Sequence, residues 1–206
     1  MKDYQENNYL KDSHEAVKLY VEQSIQDSMQ TVQDFISHSS EISVNVVKEC
    51  EYSNKINNIV IEAKSEPKPL CCLTLFDFDS RSSEEVANQF RVFLVACGYE
   101  VINSDKTLWN MPKKESDAAS SIFKFITKNE EMKIYSDQYD TEKRCWKIFL
   151  SSKDGKVTLF DIKNAPLRSV AIIERQLAMI IGAMNKTVET SDGARLNMYG
   201  CISFPF

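Results

Sequence analysis

Few side chains in this 206-residue chain are placed to carry chemistry, and their spacing argues against most catalytic schemes. The sharpest enzymatic signal is Leu73-Thr74-Leu75-Phe76-Asp77-Phe78-Asp79, an apolar strand ending in two aspartates with one residue between them. The structural reading of the same residues is a buried strand whose polar end caps the turn into the next helix. Only two histidines occur, His14 and His38, at opposite ends of one predicted helix. At 1.5 Å rise per residue they stand too far apart to share a metal, so no metal site is expected. The six cysteines (Cys50, Cys71, Cys72, Cys97, Cys145, Cys201) show no Cys-x-x-Cys pair and are too sparse for a disulfide scaffold. They read as reduced, mostly buried small hydrophobes. The five glycines are scattered, whereas a phosphate-cradling loop needs them clustered so that backbone amides can approach the anion.

The run from Leu73 to Asp79 resembles the first motif of haloacid-dehalogenase-type phosphatases. That resemblance implies an attacking Asp77, a proton-handling Asp79 and a Mg²⁺ ion near both. It covers only these residues: Ser80-Arg81 stands where the family carries a Gly-Thr type turn, and no later acidic pair follows an apolar strand.

The elements that must position these residues follow from composition and periodicity. With 43% hydrophobic and 27% charged residues the chain is an ordinary globular one, long enough to bury a core. Its net charge of −5, with basic clusters no longer than the doublets Lys113-Lys114 and Lys143-Arg144, argues against a nucleic-acid partner. Residues 1–10 lack the apolar run of a secretory signal, and no stretch approaches the roughly 18 apolar residues of a membrane span. The expectation is a cytoplasmic protein without membrane insertion.

Val17, Val21, Ile25, Met29, Val32 and Ile36 form one stripe, predicting a helix over 12–36 with Asp12 and Glu15 as its capping box. Period-two segments at 42–46 and 56–63 predict two antiparallel strands, and the apolar run at 70–78 predicts a strand covered on both faces and lying centrally. Ser82 with Glu85 caps a predicted helix over 83–97, closed by Gly98. A short strand at 99–103, an irregular loop at 106–112 and a helix capped by Ser116 follow. Strands are predicted at 132–135, 144–151 and 156–163, the last two joined by Lys153-Asp154-Gly155. Asn164 or Pro166 starts the last helix, with Val170, Ile173, Leu177, Ile180, Ile181 and Met184 inward. Residues 185–195 read as a mobile or looping connector, and the apolar tail 196–206 as a docking strand. No internal repeat is visible in the sequence.

The predicted fold class is therefore α+β, an antiparallel sheet flanked by helices in the order α-βββ-α-β-α-βββ-α with a C-terminal strand or extended tail. Residues 1–11 form a polar N-terminal segment, 12–187 a single domain, and 188–206 a connector and tail. The order of elements over 12–187, with the acidity and size, resembles the small acidic chaperones and adaptors of bacterial secretion systems. That resemblance implies a non-enzymatic protein that holds or delivers another protein, without a cofactor. Two candidate contact sets go with it: Leu108, Trp109 and Met111, aromatic and apolar residues in a polar loop, and Tyr199, Ile202 and Phe204, in a tail suited to strand addition. The alternatives are a Mg²⁺-dependent phosphohydrolase using Asp77 and Asp79, and a virus-encoded inhibitor that binds a host protein.

Overall fold

The computed structural model describes residues 41–48, 56–63, 69–76, 80–103, 105–198 and 200–203, together with Gln23, Asp27, Gln30, Thr31, Val32 and Asp34. Those six are helical, and Val32, on the predicted stripe, is buried. Strands β1 (Glu41–Lys48) and β2 (Ile56–Ala63) pair antiparallel from Ile42 opposite Ala63 to Lys48 opposite Asn57. Their alternation turns Ile42, Val44, Ile59 and Ile61 inward. Strand β3 (Pro69–Phe76) joins β2 antiparallel, and helix α1 (Ser80–Ala96) crosses back so that β4 (Glu100–Ile102) lies parallel to the start of β1. The sheet order is β3-β2-β1-β4, and α1 packs Val86, Phe90, Phe93 and Leu94 into the core beneath it.

After helix α2 (Lys113–Lys128) the second half begins again with three antiparallel strands, β5 (Glu131–Asp140), β6 (Cys145–Ser152) and β7 (Gly155–Ile162). Helix α3 (Leu167–Ala183) then leads to β8 (Thr187–Glu189), parallel to the start of β5. Strands β9 (Arg195–Asn197) and β10 (Gly200–Ser203) extend the sheet to the order β10-β9-β8-β5-β6-β7. The fold class is α+β, as the sequence predicts, with two mixed sheets in place of one antiparallel sheet.

The second half repeats the first. Read from opposite ends, β3-β2-β1-β4 and β7-β6-β5-β8 are the same arrangement, and in each the short crossover strand pairs with the first three residues of the opening strand. From residue 80 to 111 the correspondence runs at a constant offset of 87 positions. Helices α1 and α3 have the same 17-residue length. Both are followed by a left-handed residue, Gly98 (φ 96°) and Asn185 (φ 62°), at the same position. The turn after the crossover strand is also duplicated: Asn103 N–H to Thr107 O (2.8 Å) and Lys106 N–H to Asn103 O (2.9 Å) match Thr190 N–H to Ala194 O (2.8 Å) and Gly193 N–H to Thr190 O (2.9 Å). The same residue type recurs at Arg81 and Arg168, Ser82 and Ser169, Gln89 and Gln176, Ala96 and Ala183, and Val101 and Val188. It recurs again at Ser104 and Ser191, Asp105 and Asp192, Asn110 and Asn197, and Met111 and Met198. The repeat is hidden in the sequence because many buried positions keep their apolarity and not their identity, as where Phe90 and Phe93 answer to Leu177 and Ile180, and others change character, as where Ser83 and Ala87 answer to Val170 and Glu174.

The halves exchange helices. Helix α1 reaches β7 and helix α3 reaches β3, the outermost strand of the opposite half in each case. Gln89 clamps Asp161, donating through Nε2 to its carbonyl (2.9 Å) and accepting its N–H through Oε1 (2.6 Å). Ser169 does the same to Phe76, accepting its N–H (3.1 Å) and donating to its carbonyl (3.2 Å). Beside these clamps the Phe90 and Phe160 rings meet edge to face at 4.9 Å.

Several expectations are corrected. Strand β3 lies at an edge, not centrally; its apolar character is explained by helix α3, which covers that edge. Helix α1 begins at Ser80, so Ser82 sits inside its first turn rather than capping it. Helix α2 starts at Lys113 with Pro112 as the residue before it, not at Ser116, because proline at φ −58° is already set for a helix start. Segment 106–112 is a turn whose Leu108 bridges to Ile102. Segment 185–195 is no loose connector: it holds β8 and the duplicated turn, with Val188, Thr190 and Ala194 buried. Three-residue strands are too short to show a period.

Two measurements check this architecture. Lys106 holds a left-handed φ of 67° where the repeat places Gly193, so Lys106→Gly is expected to raise stability by about 0.5–1 kcal/mol in urea denaturation, since a non-glycine residue is strained there. A loss instead would mean that the side chain contributes more than its backbone costs. Truncation after Arg195 removes the fully buried Leu196 and is expected to lower the thermal midpoint, as the loss of a buried leucine costs about 2–5 kcal/mol. An unchanged midpoint would make the tail dispensable.

Candidate functional site

A groove of about 460 Å³ opens along the first half of α3, lined by Leu167, Arg168, Ala171, Ile172, Glu174 and Arg175, by Ser136 of β5, and by Thr190, Ser191 and Asp192 of the duplicated turn. Its position follows from strand lengths. On β5, strand β8 reaches only Glu131, Met132 and Lys133, so beyond Lys133 strand β5 is laddered on one side alone among the described residues. Helix α3 buries Val170, Ile173 and Leu177 against the sheet, which leaves Leu167, Ala171 and Ile172 beside the gap. Leu167 is 60% exposed.

The polar groups around the groove mostly satisfy one another. The buried Glu174 accepts the Ser191 N–H through Oε1 at 3.0 Å, fixing the turn to the helix. Asp192 is held by the Thr190 hydroxyl and by the Arg175 guanidinium, and it also takes a long contact from the Ala194 N–H at 3.4 Å. Partial burial works against its charge, but the Thr190 hydroxyl, Arg175 and the Ala194 amide together outweigh that cost and hold its carboxyl below the usual range. Arg168 lies over the Phe76 ring at 4.3 Å. What the groove offers a ligand is therefore chiefly its apolar floor.

The repeat shows that the scaffold does not require this floor. In the first half the positions of Ala171 and Ile172 are held by the exposed Glu84 and Glu85, which pair with Arg91 (2.7 Å) and Arg81 (3.6 Å). The corresponding helical positions carry two carboxylates in one half and two apolar side chains in the other.

The residues expected at a partner surface fall elsewhere. Leu108 is 67% exposed, while Trp109 and Met111 are partly buried and pack against the core. None of the three lines the groove. Tyr199, Phe204 and the side chain of Ile202 lie outside the described residues, although the backbone of β10 is placed on β9. Asp77, Asp79, His14 and His38 also lie outside them. Among the described residues no three His, Cys, Asp or Glu side chains converge as a metal site. Cys97 and Cys145 are free, and burial pushes the Cys97 thiol far above its ordinary range. The groove residues were missed, although Leu167 and Ile172 are apolar and fall off the inward stripe of the last helix. That was their available signal.

Among the described residues no helix is long and apolar enough to cross a membrane. Comparison with protein-family models, with curated proteins and with solved structures gives no match.

Because the folded carboxyl of Asp192 titrates below its unfolded value, its contribution to stability is complete above the ordinary carboxylate range and is lost as pH falls toward the folded value. Asp192→Asn is thus expected to destabilise by about 1 kcal/mol or less at pH 7, the group being partly exposed. The difference from the parent protein in urea denaturation should shrink as pH falls through and below the ordinary carboxylate range. A pH-independent difference would show that the hydrogen bonds, not the charge, carry the effect.

Proposed function

We propose that this protein is a non-enzymatic, protein-binding adaptor or chaperone, and that the groove along α3 takes an apolar segment of another protein. The observation that carries the reading is the contrast within the repeat: the exposed Ala171 and the half-buried Ile172 stand where the duplicate carries the exposed Glu84 and Glu85. A concave apolar surface with a polar rim is the usual form of a binding site, and Leu167 at its edge is 60% exposed. The volume of about 460 Å³ suits a few side chains, so the ligand is an anchor residue and its neighbours rather than a folded domain. A role in a bacterial secretion system and a cytoplasmic setting belong to the same proposal. They rest on element order and acidity.

A photo-crosslinking residue at Ala171 is expected to capture one protein partner in native cells, with little adduct from the exposed control position Lys124. The double variant Ala171→Glu with Ile172→Glu places carboxylates where the duplicate carries Glu84 and Glu85; because Ile172 packs partly against the core, the variant must first show a folded, cooperative thermal transition. Its affinity for the captured partner should fall at least about tenfold, equivalent to ~1.4 kcal/mol. Equal labelling from both positions, or unchanged affinity in the double variant, would reject the groove as the binding site.

A further inference from the structure

The repeat fills one strand position in the second half and leaves it open in the first. Strand β10 runs antiparallel along β9, with Gly200 opposite Asn197, Cys201 opposite Leu196 and Ser203 opposite Arg195. The segment that corresponds to β9 is 108–110, and there the chain meets Pro112 and enters α2 instead of turning back. Among the described residues Leu108 bridges only to Ile102, and Asn110 belongs to no ladder.

Hydrogen-bond direction shows that this edge is available. Thr107 O receives the Asn103 N–H (2.8 Å) and the Trp109 N–H reaches Val101 O (2.9 Å), so the Thr107 carbonyl and the Trp109 amide face β4. In an antiparallel ladder the alternate residues, Leu108 and Asn110, then direct theirs outward. Among the described residues the Leu108 carbonyl meets only the Asn103 Nδ2, at 3.4 Å. Natural edges are blunted by charge, whereas this one carries a leucine that is 67% exposed.

We propose that residues 108–110 are an acceptor edge to which an extended segment of another protein adds as an antiparallel strand, in the place β10 occupies in the second half. This goes beyond the groove and does not depend on it. The segment carries a small residue opposite Trp109, which fills more space than the matching Leu196, and an apolar residue opposite Leu108. The chain's own tail is not the occupant, because it is already paired as β10.

The probe is a fluorescein-labelled synthetic peptide of residues 199–206 carrying Cys201→Ala and Ser203→Leu, followed by anisotropy against the full chain. Saturable binding is expected, at least about fivefold weaker for the peptide that keeps Ser203. Leu108→Pro, which removes the outward N–H, and Leu108→Lys should each weaken it at least about tenfold. Leu108→Lys disturbs no existing backbone bond and serves if the proline variant does not fold. The Ala171→Glu with Ile172→Glu variant should bind the peptide like the parent, so failure of the groove reading and failure of this one are separable. Absence of peptide binding, parent-like binding by Leu108→Lys, or loss of binding only in the groove variant overturns the proposal. So does a dimer in sedimentation that Leu108→Lys dissociates, because the occupant would then be a second copy of this chain.

Discussion

The architecture depends on the way each half closes the outer strand of the other. A strand at a sheet edge leaves backbone N–H and C=O groups unpaired, and burying them without partners costs about as much as a lost hydrogen bond. Here Gln89 of α1 satisfies both backbone groups of Asp161, and Ser169 of α3 satisfies both of Phe76. The Phe90 and Phe160 side chains, both fully buried, fill the space next to the first clamp. Neither half could present these edges alone without exposing them. The exchange thus explains why two sheets share one continuous core running from Ile42 to Leu196.

The exchange also has the form of an isologous contact, in which a patch on one unit meets its counterpart on the other. It is not strictly symmetric. Ser169 stands near the start of α3 and Gln89 in the middle of α1, and the glutamine that matches Gln89, Gln176, is buried with its Nε2 lacking a partner among the described residues. The two copies have therefore diverged in polar detail while keeping helix length, strand register and turn geometry.

That divergence separates what the fold needs from what it does not. Positions that keep their character in both halves, such as Val86 and Ile173 or Val101 and Val188, are buried against the sheets. Asp105 and Asp192 each order the same turn through threonine hydroxyls and backbone amides, and in Asp105 the Thr107 hydroxyl and amide hold the carboxyl below its usual range. The positions that changed character include exposed or half-buried ones, Glu84 and Glu85 against Ala171 and Ile172 and Leu108 against Arg195, and buried ones, Ser83 against Val170 and Ala87 against Glu174. Both proposed contact sites lie at positions of the first kind, one a groove and the other a strand edge.

Sequence by itself determined the elements whose signals are local. The stripe of α3, the alternation in β1 and the turn-forming Lys153-Asp154-Gly155 each depend on neighbours a few residues away, and Gly155 sits at φ 127° as such a turn requires. The class followed from their order. Tertiary structure alone decided how those elements combine: that β3 is an edge closed by Ser169 from 93 residues away, that β4 and β8 run parallel to β1 and β5, and that one half reproduces the other. Trp109 and Met111 were legible as unusual loop residues, but only the packed core shows them leaning inward while Leu108 turns out. The reason is physical. Periodicity records which face of an element is apolar, whereas the partner that covers this face, and the surface left uncovered, are settled by contacts between distant segments that leave no local pattern.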